Sequence, residues 1–117
     1  MGGRIDGDYS RNLASNEAYD PASNSWEQRA PMPTARSGIA AAVLEGRMFV
    51  FGGEAPTGTF NQVDAYAARS NSWSSLARMP TARYGLGAAA VAGRIYVVPG
   101  GPTPGDSVSA ANEIFVP

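Results

Sequence analysis

Two arginines at equivalent places, Arg36 and Arg83, are the side chains of this 117-residue chain best suited to bind a ligand. Each follows the same four residues, Met-Pro-Thr-Ala, and a guanidinium can hold a carboxylate through two parallel hydrogen bonds. Tyr84 and Glu54, the latter beside a Gly-Gly pair, join them as candidate binding residues. The alternative for the arginines is structural: a hydrogen bond to neighbouring carbonyl groups or to an acid such as Glu54.

Neither a catalytic residue nor a metal site nor a cofactor is predicted, because the chain contains no His and no Cys. Histidine is the commonest general base and metal ligand, and cysteine supplies thiolate, disulfide and zinc-thiolate chemistry. Glu54 is the only acid immediately beside a Gly-Gly pair, so a pair of groups for acid–base chemistry is hard to assemble.

The charge balance argues against a nucleic-acid partner. Nine basic and ten acidic groups give a net charge of −1, and the arginines are scattered singly, whereas phosphate binding needs clustered basic groups. The first residues lack the basic and then apolar pattern of a signal peptide. No apolar run approaches the roughly 20 residues that cross a bilayer. The sequence therefore predicts a soluble chain with no membrane partner and leaves its compartment unknown.

The elements that must position these residues form a repeat. Residues 19–47 align with residues 66–94 without a gap, at a spacing of 47 positions. The alignment brings Trp26 opposite Trp73 and Arg36 opposite Arg83. Periods of 20–50 residues are typical of repeat architectures such as solenoids and propellers.

An apolar strand that ends in two glycines, with a Tyr and a Trp seven residues apart, resembles the kelch motif. The motif residues are Gly52, Gly53, Gly100, Gly101, Tyr19, Tyr66, Trp26 and Trp73. The resemblance implies an all-β fold, a kelch-type β-propeller segment built from four-stranded antiparallel blades. It also implies that the Tyr and Trp rings pack between blades. The loops that carry Arg36 and Arg83 would emerge on the same face as the loops after the Gly-Gly pairs, near the mouth of the channel.

The repeat divides the chain into three predicted units. Residues 1–36 hold the third and fourth strands of a partial blade, residues 37–83 a complete blade, and residues 84–117 the first to third strands of another. The predicted strands are Gly38–Leu44, Arg47–Phe51, Val63–Ala67 and Trp73–Ala77, and the residues before Ser15 are predicted as a polar loop. The alanine run in the first strand could indicate a helix, but its short length between two glycines favours a strand.

A chain with these blades cannot close a propeller by itself, because closure takes roughly four to eight blades. Either it is a fragment of a longer gene product, or it closes by oligomerisation, which the strand count favours. One chain's tail would be completed by the next chain's head, in a cyclic arrangement. A trimer with six blades is favoured, and a dimer with four is the alternative. Residues 16–21 and 112–117 would compete for the same third-strand position, so we expect one of them to be displaced or added at the edge.

The function expected from the resemblance is that of a non-catalytic binding or assembly scaffold, which self-associates into a propeller and presents loops to a protein partner. The loops expected to vary are residues 54–62 and 102–111. One alternative is part of a kelch-type enzyme that acts on sugars, similar to the sialic-acid mutarotases. Another is a purely structural repeat fragment. Copper oxidase chemistry, which occurs on similar propellers, needs imidazole ligands that the chain does not have.

Overall fold

Thirteen strands form the regular structure of the chain in a computed structural model that describes residues 1–117. They are β1 Arg4–Ile5, β2 Asp8–Asn12, β3 Asn16–Asp20, β4 Ser25–Arg29, β5 Ala40–Leu44, β6 Arg47–Phe51, β7 Glu54–Ala55, β8 Gly58–Thr59, β9 Val63–Ala67, β10 Ser72–Ser75, β11 Gly87–Val91, β12 Arg94–Val98 and β13 Glu113–Phe115. The structure contains no helix that is long and apolar enough to cross a membrane.

Four of these strands form a complete antiparallel sheet, the middle sheet, in the order β10-β9-β6-β5. Its inner hairpin turns at Glu45 and Gly46, whose φ angles of 50° and 73° match the type I′ turn that best suits the twist of a two-residue hairpin. The alanine-lined β5 is a strand, as predicted, and not a helix. Strand β6 is paired on both edges, and its side chains Phe49 and Phe51 are fully buried.

Two smaller sheets flank the middle sheet along the chain. The head sheet contains β3 and β4, which pair over five positions. The tail sheet has the order β11-β12-β13, with five pairs between β11 and β12 and three between β12 and β13. The strands thus follow in the order expected from the repeat, while the blade boundaries at residues 36 and 83 stay a prediction.

The prediction of a polar loop before Ser15 is wrong, because β1 and β2 form a short hairpin there. Its turn is made by Asp6 and Gly7, with φ angles of 55° and 73°, and an Asp-Gly pair is a strong signal for such a turn. The segment after Gly53 contains a second short hairpin, formed by β7 and β8.

The hydrophobic core lies between the middle and tail sheets. It consists of Ala42, Phe49, Phe51, Val63, Ala65, Met79, Ile95 and Val97. Phe115 of β13 completes it, with its ring centre 5.6 Å from that of Phe49 and 5.9 Å from that of Phe51. Burying a side chain of this size fully contributes about 1.5–3 kcal/mol, so neighbouring sheets stabilise one another. The antiparallel sheets confirm the all-β fold class of a partial, unclosed propeller.

Candidate functional site

Arg36 lies in the interior, with no exposed surface. Its Nη1 donates hydrogen bonds to the carbonyl oxygens of Gly52 (2.8 Å) and Gln62 (3.2 Å), and its Nη2 donates to Oδ2 of Asp64 (2.7 Å). Burial lowers the pKa of the Arg36 guanidinium, and the negative charge of Asp64 opposes that effect. The side chain therefore fixes the position of the loop that runs from Gly52 to β9.

The carboxylate of Asp64 has the contacts that a buried anion needs. Besides Arg36, Oδ2 accepts a hydrogen bond from Nε2 of Gln62 (3.0 Å), and Oδ1 accepts one from Oγ of Ser75 (2.7 Å). Both partners of the Arg36–Asp64 ion pair are 0% exposed. Removing two charges from water costs much free energy. A buried ion pair is therefore stable only when its geometry is good and further hydrogen bonds satisfy its remaining polar atoms.

Arg83 repeats this arrangement in the tail sheet. Its Nη1 donates to the carbonyl oxygens of Ala111 (2.8 Å) and Pro99 (3.2 Å), and its Nη2 donates to Oε2 of Glu113 (2.8 Å). The Glu113 side chain is 19% exposed, so water reaches this pair. Both arginines act in this structure as internal donors, and direct contact with a ligand would require that a guanidinium leave these oxygens.

The structural alternative named Glu54 as a possible acid partner of the arginines, and this is wrong for Arg36. Oε1 of Glu54 instead forms an ion pair with Nη2 of Arg4 (2.9 Å). The true partners, Asp64 and Glu113, were missed by sequence reasoning. A signal was available, because the repeat places Asp64 opposite Glu17, an acid in the same strand position.

Tyr84 and Glu54 lie where the repeats meet. The backbone of Tyr84 exchanges two hydrogen bonds with Gly101, of 3.0 and 2.9 Å, and its side chain is half-buried. Glu54 is buried, its amide donates to the carbonyl oxygen of Ser37 (2.9 Å), and its Oε2 has no hydrogen-bond partner. Each of the two residues therefore joins a Gly-Gly loop to the entry of an inner strand.

The second glycine of a Gly-Gly pair joins consecutive repeats. The Gly3 amide donates to the carbonyl oxygen of Arg36 (3.0 Å), and the Gly53 amide donates to that of Arg83 (2.8 Å). Each arginine thus contacts two repeats, one through its guanidinium and the other through its own carbonyl group. The remaining predicted glycines, Gly52 and Gly100, have φ angles of 63° and 123° that favour glycine.

Three loops, one from each repeat, form a continuous surface that we call the loop face: the β1–β2 hairpin, the β7–β8 hairpin and residues 102–111. Nδ2 of Asn12 donates to the carbonyl oxygen of Glu54 (2.7 Å), and Oγ1 of Thr59 donates to that of Pro102 (2.7 Å). Because these contacts cross between repeats, the three loops hold fixed positions relative to one another.

The exposed side chains of the loop face are partly apolar and partly acidic. Val108 is 91% exposed and Ile5 37%. Asp6, Asp8 and Asp106 are exposed carboxylates, of which Asp6 forms an ion pair with Arg11 (3.1 Å). Side-chain and backbone hydrogen bonds from Ser10 lower the pKa of Asp8. The face therefore combines one strongly exposed apolar residue with an excess of negative charge.

The two Tyr–Trp pairs have the same internal geometry but different surroundings. The ring centres are 5.2 Å apart for Tyr19 and Trp26 and 5.1 Å apart for Tyr66 and Trp73. Tyr66 is 5% exposed and packs against the head sheet, whereas Tyr19 is 47% and Trp26 70% exposed. The local sequence therefore forms the pair, and a neighbouring sheet decides whether it is covered.

Comparison with known proteins identifies the repeat. The family model described as the Kelch motif matches residues 1–33 and 35–80. Human Kelch-like protein 35 is 51% identical over 43 residues, which cover 37% of this chain and 7% of that protein. Mouse Kelch-like protein 35 is 46% identical over 48 residues, 41% of this chain and 8% of that protein. With the motif matched over more than half of its length, the chain belongs to the kelch-repeat family.

Proposed function

We propose that the chain is a non-catalytic scaffold that presents its loop face to a protein partner and self-associates through its head and tail sheets. The observation that carries the proposal is the continuity of the loop face, in which hydrogen bonds between repeats join three loops. Loops fixed on a β-sheet scaffold commonly carry the binding residues of a protein.

The chemistry of the loop face supports a partner segment that combines an apolar side chain with positive charge. Val108 offers an apolar contact, and the exposed carboxylates of Asp8 and Asp106 favour Lys or Arg on the partner. Within this proposal Arg36 and Arg83 lie beneath the loop face, and their guanidinium groups stabilise loops of that face.

Self-association is supported by surfaces at both ends of the row of sheets. In the head sheet, β3 pairs with β4 only, so its other edge presents free backbone groups next to the exposed Tyr19 and Trp26. At the tail sheet, a cavity of about 270 Å³ is lined mainly by apolar side chains. Unpaired strand edges and exposed apolar surface favour pairing with another chain.

We predict that a peptide rich in Lys and Arg binds the loop face and that replacing Val108 with serine weakens this binding about fivefold. The reason is the loss of methyl groups worth about 1 kcal/mol of apolar contact. The measurement is a titration followed by amide chemical shifts, with four probes: a 12-residue basic peptide, a 12-residue acidic peptide, N-acetylneuraminic acid and glucuronic acid.

A matched control for Val108→Ser is Val91→Ser. Val91 is also an exposed valine, but it ends β11 at the turn to β12, away from the Gly-Gly loops, so its replacement should leave the binding unchanged. A response to the two sugar acids and to neither peptide would contradict the proposal and favour an enzyme that acts on sugars.

We predict further that the chain sediments with a mass that rises with concentration toward three times that of one chain. This result follows because three chains with two blades each supply six blades, within the range in which propellers close. Sedimentation equilibrium over a hundredfold range of concentration measures the mass. A limit of two chains would favour the four-blade ring, and a single chain at every concentration would contradict self-association.

A further inference from the structure

The contacts between the head and middle sheets show how one Tyr–Trp pair is covered. Nε1 of Trp73 donates to the carbonyl oxygen of Ala30 (2.8 Å), and Nε of Arg29 donates to the hydroxyl of Tyr66 (3.1 Å). Oδ1 of Asn71 accepts hydrogen bonds from the Ala30 amide and from the Tyr66 hydroxyl, both of 2.8 Å. The aromatic pair and its asparagine thus bind the segment that leaves the outer strand of the preceding sheet.

The head sheet carries the same three groups without such a partner. The hydroxyl of Tyr19 donates to Oδ1 of Asn24 (2.7 Å), as that of Tyr66 does to Asn71, and the rings of Tyr19 and Trp26 have the same separation as their counterparts. All three residues are exposed. They form a preformed surface with the same local geometry as that of Tyr66, Trp73 and Asn71, which binds the head sheet within the chain.

The complementary segment is present at the other end of the row of sheets. Ala77 lies forty-seven positions after Ala30. By the repeat, the carbonyl oxygen of Ala77 should accept a hydrogen bond from the Trp of a following aromatic pair. Ala77 is exposed and lines the 270 Å³ cavity together with Met79, Pro80 and Phe115. The cavity therefore lies where the repeat would place the Trp of a following outer strand.

Charge complementarity points to the same pairing. Glu17 of β3 occupies the repeat position of Asp64, but it is exposed and forms no ion pair in the chain. Arg83, which precedes the tail sheet, occupies the repeat position of Arg36 and is paired with the partly exposed Glu113 of β13. The guanidinium of Arg83 and the carboxylate of Glu17 are thus counterparts from opposite ends of the chain.

We propose that the β3–β4 hairpin of a second copy docks on the tail sheet by replacing β13 beside β12. This inference deepens the proposed self-association and rests on it. Strand β13 pairs over only three positions, whereas β3 has five residues and brings β4 with it as a fourth strand. Trp26 of the second copy then donates to the carbonyl oxygen of Ala77, and Glu17 of the second copy accepts from Arg83.

The register of the exchanged strand follows from the middle sheet. There Phe49 of β6 lies opposite Ala65 of β9. Tyr96 of β12 is the repeat equivalent of Phe49, and Ala18 of β3 is the repeat equivalent of Ala65. The exchange therefore places Ala18 of the second copy opposite Tyr96, where Ile114 lies within one chain. Ala18 and Ile114 are therefore alternative neighbours of Tyr96, which allows a direct test in a chain that has no cysteine of its own.

The first test is the double variant Tyr96→Cys and Ile114→Cys, which locks β13 in place when oxidised. Facing residues of antiparallel strands have Cα atoms close enough for a disulfide. We expect the reduced form to associate as the original chain does and the oxidised form to sediment as a single chain. The same polypeptide thus provides its own control.

The second test mixes two single variants, Ala18→Cys and Tyr96→Cys, under mild oxidation. We expect a disulfide between the two kinds of chain, located by mass spectrometry of the digested product. Val43→Cys replaces Ala18→Cys as the control, since Val43 is exposed on β5 but has no place in the exchange, and it should give no such product with Tyr96→Cys.

A third variant, Trp26→Ala, should raise the dissociation constant of the assembly about tenfold or more, as expected for an aromatic anchor. Association of the oxidised, locked form as strong as that of the reduced form, with no mixed disulfide, would overturn strand exchange and leave self-association standing. A single chain at every concentration for the original protein would instead overturn self-association, and strand exchange with it.

Discussion

Replacing Arg36 with methionine is expected to lower the free energy of unfolding by about 3–5 kcal/mol. The substitution keeps much of the side-chain volume but leaves the Asp64 carboxylate buried without a counter-charge and removes the donor for two carbonyl groups. Urea unfolding followed by tryptophan fluorescence measures the loss, at a concentration where the chain sediments as one species.

Arg83→Met is the matched control for this prediction. It removes the same kind of donor, but Glu113 is partly exposed and can be hydrated, so the loss should be about 1–3 kcal/mol. The double variant Arg36→Met and Asp64→Leu should recover much of the stability lost by Arg36→Met, because no unpaired charge remains. Equal losses for the two single variants, or no recovery in the double variant, would contradict this account of the buried pair.

The positions of the arginines were predicted from the sequence, but the acid partners of their guanidinium groups were not. Arg36 and Arg83 stand out because identical residues surround them at the same spacing. Their acids differ in type, Asp64 in one repeat and Glu113 in the other, and the longer loop before Glu113 shifts it by two positions relative to the repeat. The pairing follows from strand register, since β6 places Val50 opposite Asp64 as β12 places Val97 opposite Glu113.

The strands could be predicted where an apolar strand pattern and the residues of a two-residue turn agree. The alanine runs of β5 and β11 have no strand-forming signal by themselves, yet each leads into a two-residue turn that continues as an apolar strand. The β1–β2 hairpin was missed because its strands are polar, although Asp6 and Gly7 form the same kind of turn. In this chain turn residues were therefore more informative than apolar periodicity near the loop face.

Exposure was the property least accessible to sequence reasoning. Tyr19 and Tyr66 lie in aligned segments and make the same local hydrogen bond, yet one is exposed and the other buried. The difference arises from the sheet packed beside each ring. Packing between repeats depends on residues about 40 positions away, so no local pattern could have predicted it.

Replacing Gly52 with alanine should destabilise the chain by about 2–5 kcal/mol, through backbone strain and a steric clash together. The φ angle of Gly52 is 63°, and a Cβ atom at this position would lie 2.3 Å from the carbonyl oxygen of Arg83. That oxygen also accepts the hydrogen bond of the Gly53 amide, which links the middle repeat to the next one. The substitution therefore adds a methyl group at the point where two repeats are joined.

Gly46→Ala separates the two causes. Gly46 has a similar φ angle of 73°, but nothing lies within 4 Å of the Cβ atom it would gain, so only the strain of about 1–2 kcal/mol should appear. The difference between the two unfolding free energies then measures the close approach of the Gly52 backbone to Arg83. If both variants lost the same stability, the Gly-Gly pair would be required for its conformation alone, and the tight junction between repeats would have no energetic role. A larger loss for Gly52→Ala would show that this glycine is needed because adjacent repeats touch there, which is the same contact that fixes the loops of the loop face.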